Sequence, residues 1–183
     1  MPEGIEKPGY MALRAKHDTR PLEEKEAREA ERWINEAVEM AKKATCEKAH
    51  CGAVVVKDGK IIGRGFNSPS GGDETQRRCS DDTAQYSGKV VDKTCCPHAE
   101  QRAIFDAVKN VGEEIKGADL YFARVDNKTG ELKKSGEPYC TSCSRLAHDS
   151  SLGHFVLSQT DGIRAFKTGE YNNLSYETTR TAK

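Results

Sequence analysis

The chain has no long apolar run. Its longest strongly apolar stretch, Ala53 to Val56, falls far short of the roughly 20 residues a membrane-spanning helix needs, so no membrane association is expected. It has no excess of either charge: Lys plus Arg and Asp plus Glu number 29 each, and nothing global draws it to a phosphate backbone or an anionic lipid surface. A large nucleic-acid substrate is therefore disfavoured. The first residues, Met1 to Pro8, carry neither a basic region nor an apolar core, so no secretory leader is expected and the chain reads as cytoplasmic. No internal repeat or clean second-domain boundary appears, and 183 residues suit one domain, which buries on the order of 70% of the surface its unfolded chain exposes. Cysteine lacks an even count: seven thiols with no export signal read as reduced side chains or metal ligands.

What is present begins with a polar stretch, residues 1–20, read as a tail; residues 21–183 are read as a single domain. Trp33, Ile34, Ala37, Val38, Ala41 and Ala44 recur at helical spacing, with Glu23, Glu24 and Glu26 at the start and Lys42 and Lys43 at the end, as the helix macrodipole favours. This stripe is assigned to the core. Cys51 to Lys57 and Lys60 to Phe66 form two β-branched or apolar runs around Asp58-Gly59, a hairpin turn signal. Residues 67–96 then form a long insert rich in Gly, Ser, Asp, Thr and Arg, too polar to order itself by burial.

A second helix is expected from Pro97 to about Asn110. Its inner stripe is Glu100, Ala103, Ile104, Ala107, Val108 and Val111, so one carboxylate stands on an otherwise apolar face, where it is costly unless paired or used. Ala118 to Val125 reads as a strand, 126–137 as a loop, Cys140 to about Ser151 as a short helix, and His154 to Ser158 as a strand parallel to the earlier one. Ile163 to Phe166 adds a last short strand, followed by a polar segment with Tyr171 and Tyr176.

The chemistry concentrates in Cys95-Cys96-Pro97-His98-Ala99-Glu100 and Pro138-Tyr139-Cys140-Thr141-Ser142-Cys143. One histidine nitrogen and the two sulfurs of a C-x-x-C pair suit Zn²⁺, and three protein ligands, His98, Cys140 and Cys143, leave a fourth position for water. Glu100, two residues after His98, is free to act as a proton carrier. H-x-E with P-C-x-x-C is the pattern of zinc deaminases, in which water attacks an amino-bearing ring carbon; here the proline stands one place further from the first cysteine. The rival is a closed structural site in which Cys95-x-x-His98 and Cys140-x-x-Cys143 saturate the ion and leave a non-catalytic interaction module. Both halves of the motif open helices, whose positive ends favour thiolates. Cys79, Cys95 and Cys96 allow a second metal or a local staple within the insert, with His50, Cys51 or an acidic residue as a fourth ligand; free thiols are the plainer alternative.

These residues resemble the zinc-dependent cytidine and deoxycytidylate deaminase superfamily, nearest to its deoxycytidylate deaminase branch. The likeness runs from about Thr45 to Ser158. It rests on Thr45-Cys46 ahead of Cys51-Gly52-Ala53-Val54-Val55-Val56, on Gly65-Phe66-Asn67 before a long insert, on His98-Ala99-Glu100-Gln101 and on Cys140-x-x-Cys143. The resemblance implies an α/β fold of three α-β-α layers around a mixed five-stranded sheet, zinc held by His98, Cys140 and Cys143, and Glu100 as proton shuttle. It implies hydrolysis of a small-molecule cytosine-type nucleotide, deoxycytidylate foremost, with another nucleoside, base or aminated heterocycle as the alternative, and a homo-oligomer. Asn67 matches a residue that contacts the substrate sugar, and Ala99 lies where backbone groups meet the base. In that branch the insert helps to bind phosphate and effectors, which draws attention to Arg77 and Arg78, although paired loop arginines are more often solvated.

Overall fold

The computed structural model describes residues 10–17, 19–87 and 95–179. Its strands are β1 (Thr19–Pro21), β2 (His50–Lys57), β3 (Lys60–Phe66), β4 (Asp119–Val125), β5 (Leu132–Lys133), β6 (His154–Gln159) and β7 (Gly162–Lys167). Its α-helices are α1 (Tyr10–Arg14), α2 (Glu24–Ala41), α3 (Ala99–Val111), α4 (Thr141–Asp149) and α5 (Thr168–Thr179). The strands make one mixed sheet in the order β1-β7-β6-β4-β2-β3, with β5 paired to β4. β4 and β6 run parallel, Leu120 opposite Phe155; the other pairs are antiparallel.

Alternation along the strands builds two cores. Ala53 and Val55 of β2, Leu120 of β4 and Phe155 and Leu157 of β6 turn to one face, where Ala103, Ile104 and Ala107 of α3, Ala147 of α4 and Tyr171 and Leu174 of α5 cover them. Val54, Val56, Tyr121, Ala123 and Val156 turn to the other, against Trp33, Ile34, Ala37 and Val38 of α2. A sheet covered on both sides reads as continuous apolar runs at its centre, which is what 53–56 shows. The β2–β3 hairpin turns at Asp58 and Gly59, whose φ values of 49° and 70° are those a two-residue turn of this hand requires.

The architecture is three-layered and mixed, as expected, and each of the five expected strands forms. The sheet is nevertheless larger than five strands. The additions are β1, three residues ending in Pro21, and β5, two residues, both too short to carry an alternating pattern. The polar tail also needs correction. Residues 1–9 lie outside the described residues, but Tyr10 and Arg14 of α1 are buried: Arg14 donates to Gln159 Oε1 at 2.9 Å and to Asp161 Oδ2 at 2.6 Å. Five residues with one arginine inward have no apolar period to announce them. Among the described residues no helix is long and apolar enough to cross a membrane.

Candidate active site

The starts of α3 and α4 meet. His98 and Cys140 occupy the capping positions of the two helices in extended backbone, with ψ of 152° and 100°. His98 donates its backbone N–H to Gln101 Oε1 at 3.0 Å, which fixes the first turn of α3. That turn is pressed on β3: a Cβ on Gly65 would stand 2.1 Å from the Ala99 carbonyl oxygen, and one on Gly63 would stand 2.2 Å from that of Ala103, so only glycine permits the approach. α4 is held from behind by α5. Ser144 donates to Asn172 Oδ1 at 2.8 Å, and the Thr178 hydroxyl donates to the carbonyl of Pro138, in the loop that delivers Cys140.

The donors converge as a triangle. His98 Nδ1 lies 3.2 Å from Cys140 Sγ and 3.1 Å from Cys143 Sγ, and the two sulfurs are 3.1 Å apart. Tetrahedral zinc, with bonds of about 2.3 Å to sulfur and 2.0–2.1 Å to nitrogen, places such ligands about 3.5–3.8 Å apart, so an ion enters by spreading the triangle by roughly half an ångström. One nitrogen and two sulfurs on three corners fit zinc. The hydrogen bond between Cys140 and Cys143 outweighs the burial of Cys140 and, with His98 beside it, brings the Cys140 pKa down to about 4. The Cys143 thiol is pushed up by the same bond and by burial. Among the described residues, the ligand atoms that gather here are those of His98, Cys140 and Cys143.

Glu100, in the first turn of α3, is 8% exposed. Its carboxyl is pushed above the usual carboxylate range by burial, with His98 opposing, and it lies in hydrogen-bond contact with the Cys143 thiol. Cys95 is elsewhere: its sulfur is 3.2 Å from that of Cys79 and 3.4 Å from that of Cys96. The arrangement that would close the site with Cys95 is therefore not the one the fold builds.

Asn67 is buried where β3 ends, and its amide stitches the backbone. Oδ1 accepts from Cys51 N at 2.8 Å and Nδ2 donates to Ala49 O at 2.8 Å, which leaves one amide proton for another partner. The Ala99 side chain is fully buried, so what this position can offer a ligand is backbone. Arg102 on α3 donates to Ser68 O at 3.2 Å and Pro69 O at 2.8 Å, tying the start of the insert to the helix. Arg77 and Arg78 already have partners: Arg77 donates to Glu74 Oε2 at 2.6 Å within the insert and to Thr45 O at 2.8 Å outside it, and Arg78 to Gln76 O at 2.8 Å.

Two features escape the sequence. Cys51 and Arg124 stand opposite each other on β2 and β4; burial and the Glu100 charge push the Cys51 thiol up to about 12, with Arg124 opposing, and the buried Arg124 Nε has no hydrogen-bond partner among the described residues. The strand alternation that puts Leu120 on the α3 side carries this signal. The second is α5, whose inward residues Tyr171, Leu174, Ser175 and Thr178 sit at helical spacing but are mostly polar. An open groove of about 670 Å³ lies between α3, α4 and α5, lined by Gln101, Phe105, Ser142 and Leu146 among others; the three converging donors do not line it.

A helix-opened His-Cys-Cys triangle beside a buried glutamate on a mixed sheet defines the class of zinc-site deaminases. Residues 27–159 match the family described as the cytidine and deoxycytidylate deaminase zinc-binding region, and the chain belongs to that family. A deoxycytidylate deaminase of Mycobacterium phage D29 is 31% identical over 135 residues, which is 69% of this chain and 91% of that protein. The crystal structure of dCMP deaminase from the cyanophage S-TIM5 in apo form gives a TM-score of 0.49 at 21% identity, covering 69% of this chain and 79% of that one. A cytidine deaminase from Burkholderia pseudomallei gives 0.48 at 18% identity, covering 77% and 94%.

Proposed function

We propose that the chain catalyses hydrolytic deamination of a cytosine-type nucleotide, deoxycytidylate and water giving deoxyuridylate and ammonia. The observation that carries this reading is Glu100, a buried carboxylate two residues from His98 and in contact with Cys143. Zinc held by His98, Cys140 and Cys143 would supply a Lewis acid that makes a water-derived nucleophile available near neutral pH.

Glu100 moves the protons. Its raised pKa, set chiefly by burial, suits a group that must both take and give a proton in each cycle. It accepts one proton from the attacking water and delivers it to the ring nitrogen beside the amino-bearing carbon. It then carries the second water proton to the amine, and ammonia leaves as the carbonyl forms. Asn67, through the amide proton that Ala49 does not use, meets the sugar, and backbone at Ala99 meets the base. The 31% identity to a deoxycytidylate deaminase supports the nucleotide over the free nucleoside or base.

The test is ammonia release by the zinc-loaded protein with cytidine, deoxycytidine, their monophosphates, guanine and adenosine. Deoxycytidylate should be turned over fastest, and Glu100→Ala should keep its zinc and lose about 10²- to 10⁴-fold in turnover. Silence across the panel from fully loaded protein, or an undiminished Glu100→Ala, would overturn the reading.

A further inference from the structure

Five cysteines remain that the reaction does not use, and the fold gathers four of them. Cys79 Sγ lies 3.2 Å from Cys95 Sγ and 3.8 Å from Cys96 Sγ, and those two are 3.4 Å apart. The sulfurs of Cys46, Cys79 and Cys96 all lie within 4.8 Å of one another. They arrive from separate places. Cys46 belongs to the core, in the turn between α2 and β2, where Thr45 donates its backbone N–H to Asn67 O at 3.2 Å. Cys79 comes from the middle of the insert, and Cys95 and Cys96 from its end.

Burial alone does not account for this placement. Within residues 70–87, Cys79 is the single buried residue. Burying one such side chain contributes on the order of 1 kcal/mol, whereas ordering the backbone costs about 1–2 kcal/mol for every residue held. Short 3₁₀ turns and side-chain caps at Asp73 and Asp82 organise the segment locally, but the sulfur cluster is where its buried anchor lies.

The spacing suits an ion. Four thiolates at about 2.3 Å from zinc stand about 3.8 Å from one another. The separations among Cys79, Cys95 and Cys96 need only slight expansion, while Cys95, which falls outside the group that Cys46, Cys79 and Cys96 form within 4.8 Å, must swing toward Cys46. Such a site carries a net charge of about −2. The Arg77 guanidinium is set against it, 3.5 Å from Cys79 Sγ while also bonding Thr45 O at 2.8 Å and pairing with Glu74 at 2.6 Å and Glu47 at 3.8 Å.

We infer that Cys46, Cys79, Cys95 and Cys96 bind a second, structural zinc ion that fastens the insert to the core. The fourth ligand, expected at His50, Cys51 or an acidic residue, is Cys46; Cys51 packs against the α3 side of the sheet instead. Four protein ligands leave no position for water, so the site is a clamp rather than a second centre of chemistry. Its last ligand, Cys96, stands two residues before His98, so the clamp also fixes the approach to α3.

The test is metal content of the full chain purified under reducing conditions with zinc, read by native and elemental mass spectrometry. The wild type should hold about two ions, and Cys140→Ser/Cys143→Ser should still hold about one. That double variant cannot perform the proposed reaction whichever way the result falls, so failure of the clamp is distinguishable from failure of the deaminase reading. In the wild type, Cys46, Cys79, Cys95 and Cys96 should resist alkylation until a chelator is added. No ion in the double variant, or insert cysteines that alkylate at once or pair as a disulfide in the zinc-loaded protein, would overturn the inference. Cys79→Ser should lose one equivalent of zinc.

Discussion

Asn172 Oδ1 accepts the Ser144 hydroxyl at 2.8 Å, one residue beyond Cys143, so the last helix fixes the helix that carries two of the three converging donors. Ser144 is fully buried, and removing Asn172 leaves its hydroxyl only the longer contact to Thr141 O at 3.2 Å. Asn172→Ala should cost about 0.5–1.5 kcal/mol in urea unfolding. It should also release zinc to a chelator faster than wild type, in a competition assay with a colorimetric dye.

Gly65 predicts a sharper loss. Its hypothetical Cβ meets backbone at 2.1 Å, and backbone cannot rotate aside as a side chain can. Gly65→Ala should destabilise by about 1–3 kcal/mol or more as β3 and the first turn of α3 are pushed apart. Because His98 and Glu100 ride on that turn, kcat should fall more than thermal stability alone explains, measured at a temperature where both proteins are folded.

Arg14 gives a test of the docked N-terminus. The Asp161 carboxyl is held down to about 2, first by Arg164, with burial opposing, and then by Arg14. Arg14→Ala leaves Asp161 its Arg164 partner but strips Gln159 of a donor in a buried place. Hydrogen exchange at α1 and β1 should accelerate at least about tenfold, an opening easier by about 1.4 kcal/mol or more, while exchange in β2 and β4 should not change.

His17 makes the same contact dependent on pH. Burial opposes its charge, but Glu170 at 2.6 Å and Glu177 at 3.1 Å raise its pKa above the ordinary 6.5. A folded pKa raised above the unfolded one stabilises fully below the unfolded value and fades as pH rises through the folded value. The melting-temperature difference between wild type and His17→Ala should therefore be largest near about pH 6 and shrink by about pH 9. A difference that is flat across that range would exclude the charged contact.

The site was legible because its chemistry needs fixed residue types at short spacing, and His98, Glu100, Cys140 and Cys143 stand at such spacings. The central strands were legible for a related reason: Val54, Val55 and Val56 have helices on both sides, so no polar residue interrupts them. Cys46 was not, since nothing in a lone cysteine before a strand says which distant sulfurs it will meet. α5 was missed because Asn172, Ser175 and Thr178 work inward through hydrogen bonds, and hydrophobic periodicity does not register polar residues used that way. β1 was missed because three residues at a sheet edge need only a neighbour's backbone.

The pairing of β1 with β7 has a consequence for how the chain is made. Thr19 is opposite Phe166, so one of the earliest strands to leave the ribosome waits for one of the last. Until then its edge lies open, and Pro21, which offers no amide proton to a stray neighbour, limits what can add there in the meantime. The seam between β1 and β7 can thus close only after every other strand of the sheet has been made.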